Sequence, residues 1–145
     1  MKALIQRVKE ASVSIEGRSV ASIGTGIVVL LGITHSDNAG IIEKGADKCV
    51  NLRIFEDSSG KMNLSLKDIN GEALIVSQFT LYGDCRRGRR PSYTEAAVPE
   101  YAEKLYEQFI KSFNDRGIKT QTGRFGAMMD VSLVNSGPVT LMVEI

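Results

Sequence analysis

Ala73-Leu74-Ile75-Val76-Ser77-Gln78-Phe79-Thr80-Leu81 changes character at its middle. Its first four residues are an unbroken apolar run, as expected of a buried strand. The next four place Ser, Gln and Thr around one aromatic. A strand interior has no packing use for such a cluster. A strand end does, because polar groups there can be aimed at a ligand from a rigid base. A second segment of the same kind, Asn135-Ser136-Gly137-Pro138-Val139-Thr140, lies between two further apolar runs.

Around the 73–76 strand the pattern alternates between sheet and helix. Ser12 to Glu16 alternates polar and apolar residues, as a half-buried strand does, and Glu16-Gly17 turns it into a strand over 18–23. The run 26–33 reads as another buried strand, so the N-terminal third reads as an antiparallel meander. Ser36-Asp37-Asn38 offers caps for a first helix whose apolar face is Ile42, Ala46, Cys49 and Val50. A strand at Arg53-Ile54-Phe55 and a turn at 57–60 follow. Tyr101, Ala102, Leu105, Tyr106, Phe109, Ile110 and Phe113 form one helical stripe, with Pro99 in the first turn and Gly117 as the stop. Strands are then expected at 119–122, 128–134 and 139–145. The fold class predicted is α/β: a mixed, mostly antiparallel, barrel-like sheet with two packed helices, in a single domain spanning 1–145.

Composition narrows the function classes. The chain has 145 residues, 43% of them hydrophobic, with a formal net charge of +1. That is a globular composition without a strongly basic field, so any nucleic-acid contact must come from a local patch. No apolar run approaches the roughly 20 residues of a membrane span, and no secretory pattern opens the chain, so a cytoplasmic location is expected. Two cysteines make no disulfide framework.

The chemistry-bearing residues exclude more than they select. His35 is the only histidine, so a histidine-based acyl transfer would have to use it, and its place between a strand and a helix cap suits a surface residue. Cys49 falls on a helix's apolar face. Cys85 sits among arginines but has no resolving cysteine nearby in sequence and no obvious base. One His and two isolated Cys complete no common metal set, and neither metal nor cofactor is expected. Arg86-Arg87-Gly88-Arg89-Arg90-Pro91 is a dense cationic loop whose planar forks suit phosphate oxygens, against the bland reading of a solvated loop. Ser77 and Thr80 are possible nucleophiles without an identifiable base. The backbone amides near Gln78 to Thr80 could instead stabilise an oxyanion. Gly137-Pro138 could be an ordinary trans turn, which is the commoner state of such a bond.

Ser77-Gln78-Phe79-Thr80-Leu81 and Asn135-Ser136-Gly137-Pro138-Val139-Thr140 resemble the two signature motifs of the D-aminoacyl-tRNA deacylases. The likeness extends to Gln6-Arg7-Val8, to Gly88-Arg89-Arg90-Pro91-Ser92 and to the stretch from Thr122 to Met129. Ser136 stands where the family often carries an acidic residue. The resemblance implies a homodimeric hydrolase acting on the acceptor end of aminoacyl-tRNA, with no DNA or membrane partner. It would cut D-aminoacyl and mischarged glycyl esters. Ser77, Gln78, Phe79 and Thr80 would surround the ester, with the Phe79 and Thr80 amides facing the oxyanion and the substrate 2'-hydroxyl assisting in place of a protein nucleophile. Gly137 and Pro138, joined by a cis bond and steadied by Arg7, would enter the neighbouring subunit's pocket and exclude L side chains. Phe125 and Met129 would line the adenosine pocket, against the alternative that both are ordinary core. Arg86, Arg87, Arg89 and Arg90 would follow the phosphates. Two rivals remain at this level: a non-catalytic RNA-end binding dimer, and an esterase of small D-amino-acid esters.

Overall fold

A computed structural model describes residues 1–145. Strand β1, Lys2–Ile15, is the long central strand. It pairs antiparallel with β2, Arg18–Ile23, through its C-terminal half and with β3, Gly26–Gly32, through its N-terminal half. Helix α1, Ala39–Asn51, follows, and then a small hairpin of β4, Phe55–Glu56, and β5, Met62–Leu64. Strand β6, Glu72–Ser77, lies parallel to β3. Helix α2, Pro99–Asp115, leads to β7, Lys119–Thr122, which is parallel to β6. The last strand, β8, Asp130–Glu144, runs antiparallel along nearly all of β1.

The alternation of apolar residues on the strands divides the core in two. Ile5, Ile27, Val29, Leu31, Ala73 and Ile75 point to the face that both helices cover. Ile42, Ala46, Cys49 and Val50 of α1 and Leu105, Phe109 and Phe113 of α2 close that layer. Val8, Val13, Val28, Leu74 and Val76 point the other way, into the concave side that β2 and β8 curl around. This gives the barrel-like α/β fold expected, built from antiparallel and parallel ladders together. Of the three offered caps, Asn38 is the one used: its Oδ1 accepts the Gly40 and Ile41 amides at 3.0 and 3.2 Å. Pro99 occupies the first turn of α2, and Gly117 follows the helix with φ +80°. Gly26 is required because a Cβ there would overlap the backbone of Glu72 on the neighbouring strand.

Three strand assignments change. The strand expected at Arg53-Ile54-Phe55 is confined to Phe55–Glu56, because Arg53 and Ile54 have no ladder partner. The strand expected from Ser12 begins at Lys2, so Gln6 to Glu10 is sheet although its residues are largely polar. The strands expected at 128–134 and 139–145 are one 15-residue strand, and Gly137–Pro138 interrupts it without ending it. Gln6 pairs with Thr140 and Val8 with Asn135, so two steps along β1 face five along β8. The surplus residues bulge out of the ladder opposite Arg7. The bulge is how a Gly-Pro pair sits inside a strand whose inner edge is paired.

Candidate functional site

The first motif leaves the sheet where β6 ends. Ser77 pairs with Leu31, and the Gln78 amide donates to the Leu31 carbonyl at 2.8 Å, the last bond of that ladder. The chain then tightens into a 3-10 turn, Phe79–Tyr82, with the Leu81 amide donating to the Gln78 carbonyl at 3.2 Å and Gly83 to Thr80 at 2.9 Å. Phe79 and Thr80 open this turn, where backbone N–H groups have no acceptor within the turn itself. The Thr80 hydroxyl receives a hydrogen bond from the Gln78 side-chain amide. That neighbour is a donor and so does not serve as a base for the Thr80 proton. The Phe79 ring is 55% exposed and meets Tyr93 edge-on, centroids 5.2 Å apart.

The second motif is braced from behind by one buried cation. Arg7 is 6% exposed. Its Nε donates to the Ser136 carbonyl at 3.1 Å, one terminal nitrogen to Gly137 at 3.1 Å, and the other to Ile54 at 2.5 Å. Three carbonyl dipoles, rather than a carboxylate, hold the charge. Asn135 closes the neck of the bulge: its Nδ2 donates to the Arg7 carbonyl at 2.9 Å and to Val139 at 3.1 Å. The Gly137–Pro138 bond is cis, and both residues face solvent.

The two motifs do not meet within one chain. Ser77 shares a rung of the sheet with Leu31, Ala3 and Val143, whereas the bulge sits on the rung of Arg7, Ile27 and Ala73. Four residues along the strands and three strands across give separations of about 13 and 14 Å. A concavity of about 700 Å³ lies elsewhere again, between Glu10, Ser22, Glu72, Lys119 and Ser132 at the opposite end of β6. Each motif is an open ledge.

The arginine run is a hairpin tip. Asp84 and Ser92 exchange backbone bonds of 2.8 and 3.0 Å at its base. Arg86 folds back on Asp84, with Nε and a terminal nitrogen on the two carboxylate oxygens at 2.9 and 2.8 Å. That guanidinium holds the Asp84 carboxyl far below the usual carboxylate range. Arg87, Arg89 and Arg90 are exposed and make no bond within the chain, so three of the four arginines are free for an anion.

Phe125 and Met129 fall on different parts of the core. Phe125 is half-buried against Tyr106, centroids 5.8 Å apart, on the helix side. Met129 packs into the concave side and lies against Gly123. Both keep part of their surface open. His35 is exposed, with Nε2 3.0 Å from the Thr94 carbonyl. Burial pushes the Cys49 thiol up to about 12, while Cys85 is exposed. Three contributors have no role in the sequence reading. The Ile54 carbonyl leaves no mark in a sequence. Asn135 is marked only by its place in the motif. Tyr93 has the signal of an aromatic that closely follows a run of arginines.

No helix is long and apolar enough to cross a membrane. A family model described as D-Tyr-tRNA(Tyr) deacylase matches residues 4–144. A D-aminoacyl-tRNA deacylase of Desulfatibacillum aliphaticivorans is 62% identical over 99% of both chains. One of Thermosipho africanus is 60% identical, covering 99% of this chain and 97% of its own. Among solved structures, one titled c-Myc DNA Unwinding Element Binding Protein superposes with a TM-score of 0.94 at 42% identity, over 100% of this chain and 99% of its own. Another, titled as a probable eukaryotic D-amino acid tRNA deacylase, reaches a TM-score of 0.83 at 17% identity, over 99% and 98%, and shares the fold.

Proposed function

The chain belongs to the D-Tyr-tRNA(Tyr) deacylase family, and from that premise we propose that it hydrolyses the ester joining a D-amino acid to the terminal adenosine of tRNA. Water adds to the acyl carbon, the bond from that carbon to the ribose oxygen breaks, and the ribose oxygen takes a proton. Free tRNA and the amino acid leave.

One observation carries the reading. The chain presents an amide-edged turn without a base and a carbonyl-edged loop locked by a buried arginine, too far apart in one copy to share a small substrate. A second copy supplies the missing half. Strand β8 pairs with β1 alone, so its outer edge is open, and Val134, Leu141 and Met142 along it are exposed. An open edge with apolar side chains is a surface that seeks a partner. In the homodimer the Gly137 and Pro138 carbonyls of one copy reach over the Phe79–Thr80 turn of the other and receive the substrate α-amino group. An L side chain would then point into backbone, while glycine, without a side chain, would pass. The Phe79 and Thr80 amides stabilise the oxyanion, and the substrate 2'-hydroxyl does the work of the absent base. Phe125 and Met129 flank the adenosine, and the arginine hairpin follows the phosphates.

The test is hydrolysis of D-tyrosyl-, L-tyrosyl- and glycyl-tRNA. The D and glycyl esters should be cleaved and the L ester spared; equal rates on D and L would sink the chiral-loop account. Thr80→Ala should keep activity within about tenfold, whereas a 2'-deoxy terminal adenosine should lose on the order of a hundredfold, in the range of a positioned proton-transfer group. The reverse result would restore Thr80 as the nucleophile. An unchanged ester half-life beside tight tRNA binding would make this a binding protein.

A further inference from the structure

Tyr93 is 40% exposed, yet nothing about its placement is loose. One side of its ring lies over Gly83, where an added Cβ would come within 2.9 Å of the ring and of the Thr80 carbonyl. Phe79 meets it at an interplanar angle of 71°. The preceding Ser92 is paired with Asp84 at the base of the hairpin. The following residues are tied to the end of β3: the Thr94 carbonyl lies 3.0 Å from His35 Nε2, the Thr34 hydroxyl donates to Glu95 at 2.5 Å, and the Ala97 amide donates to Ile33 at 2.9 Å. The Tyr93 hydroxyl has no partner within the chain. A rigid aromatic, partly open to solvent, thus stands between the 3-10 turn and the three unpaired guanidiniums of Arg87, Arg89 and Arg90.

That combination has a chemical meaning. Single-stranded nucleic acid is held by cationic side chains that track phosphates and by aromatic faces on which bases stack. Here the cations and the ring lie within seven residues, 87–93, and the ring adjoins the residue that opens the candidate site. We infer that Tyr93 is a stacking platform for the nucleotide that precedes the terminal adenosine, placed so that the next phosphates along the strand fall among Arg87, Arg89 and Arg90. The inference rests on the aminoacyl-tRNA reading of the site and adds a subsite to it. It concerns the RNA beyond the reacting ribose, so it predicts an effect on long substrates and none on short ones.

The experiment compares wild type, Tyr93→Leu and Tyr93→Phe on D-tyrosyl-tRNA and on D-tyrosyl-adenosine, which lacks every nucleotide but the last. Leucine keeps the apolar bulk against Gly83 and Phe79 and removes the stacking face. Tyr93→Leu should raise KM for the tRNA about 5- to 100-fold with kcat little changed, the range that loss of one base–aromatic stack gives. It should leave the adenosine ester unaffected. Tyr93→Phe should behave as wild type on both. An equal loss on the two esters would make Tyr93 a prop for Phe79 and overturn the inference. So would an unchanged KM for the tRNA. If wild type cleaves neither ester, the aminoacyl-tRNA reading itself falls and takes the subsite with it. If wild type cleaves both and Tyr93→Leu changes nothing, only the subsite falls.

Discussion

Arg7 and the arginines of the 84–92 hairpin carry the same side chain into opposite surroundings. Arg7 is almost wholly buried, bonded through both terminal nitrogens and Nε to carbonyls from two separate segments, 54 and 136–137. Arg87, Arg89 and Arg90 stand in solvent without a partner. A buried guanidinium fixed by three acceptors acts on geometry, over a few ångströms, and salt does not reach it. Exposed guanidiniums act on a ligand through a field that mobile ions screen within about 10 Å at ordinary salt. Under the proposed function, one region would set which ester fits and the other how readily a polyanion arrives.

Arg7→Ala should give the largest effect. It leaves one buried and two part-buried carbonyls without their donor and releases the bulge. With charge-assisted bonds contributing about 1.5–3 kcal/mol each, a loss on the order of 3–5 kcal/mol is expected from denaturant unfolding. The rate on L-tyrosyl-tRNA should rise relative to the D ester. A variant that stays stable and selective would end the claim that this arginine sets geometry.

The Arg87, Arg89 and Arg90 triple alanine variant should fold as wild type, since none of the three is bonded within the chain. Its KM for tRNA should rise roughly 10- to 100-fold. The slope of log KM against log salt should shrink by about 2, as expected for three single-strand phosphate contacts. The D-to-L ratio should not move. A changed ratio would blur the division between the two regions.

Asn135→Ala tests the braced region more gently. It removes two neutral bonds, to the Arg7 and Val139 carbonyls, at the neck of the bulge. Net values of about 0.5–1.5 kcal/mol per bond predict a stability loss near 2 kcal/mol and a smaller loss of chiral selectivity than Arg7→Ala causes.

The two regions also differ in how far a sequence exposes them. The hairpin is visible as a run of charge, since local composition is all it needs. What composition hides is that Arg86 is spent on Asp84, because the pairing depends on the chain folding back. The braced region is visible only through its Gly-Pro pair and its likeness to a family. Taken alone, Gly137–Pro138 reads as a turn, and the flanking runs read as two strands. They form one strand because β1 pairs with both sides of the bulge, a long-range fact. For the same reason Gln6 to Glu10 reads poorly as sheet: a buried Arg in a strand makes sense only once its carbonyl acceptors from 54 and 136–137 are known. Helix α2 needs no such information, because its stripe, its Pro99 and its Gly117 are all local signals. Met129 shows the reverse case, a residue with two readings that its sequence does not separate. Its place near a motif suggests a ligand contact, and in the structure it is partly buried against the cluster that holds Val13, with part of its surface still open.

The smallest effect is the sharpest test of the field account. Asp84 holds Arg86, and that pairing keeps the carboxyl ionised far below the usual range. The folded-state pKa is depressed, so the interaction is fully present above the ordinary carboxylate pKa and fades only as pH falls through the depressed value. No assay near neutrality can release Arg86 by titration; a substitution can. Asp84→Asn keeps the backbone pairing with Ser92 while removing one negative charge and freeing a fourth guanidinium. If the hairpin acts through its field, KM for tRNA should fall about two- to threefold at low salt, and the gain should vanish as the Debye length shortens to about 3 Å near 1 M salt. A gain that survives high salt would instead mean that Arg86 makes a specific contact. No gain at all would mean that the hairpin's charge is not what draws the substrate in.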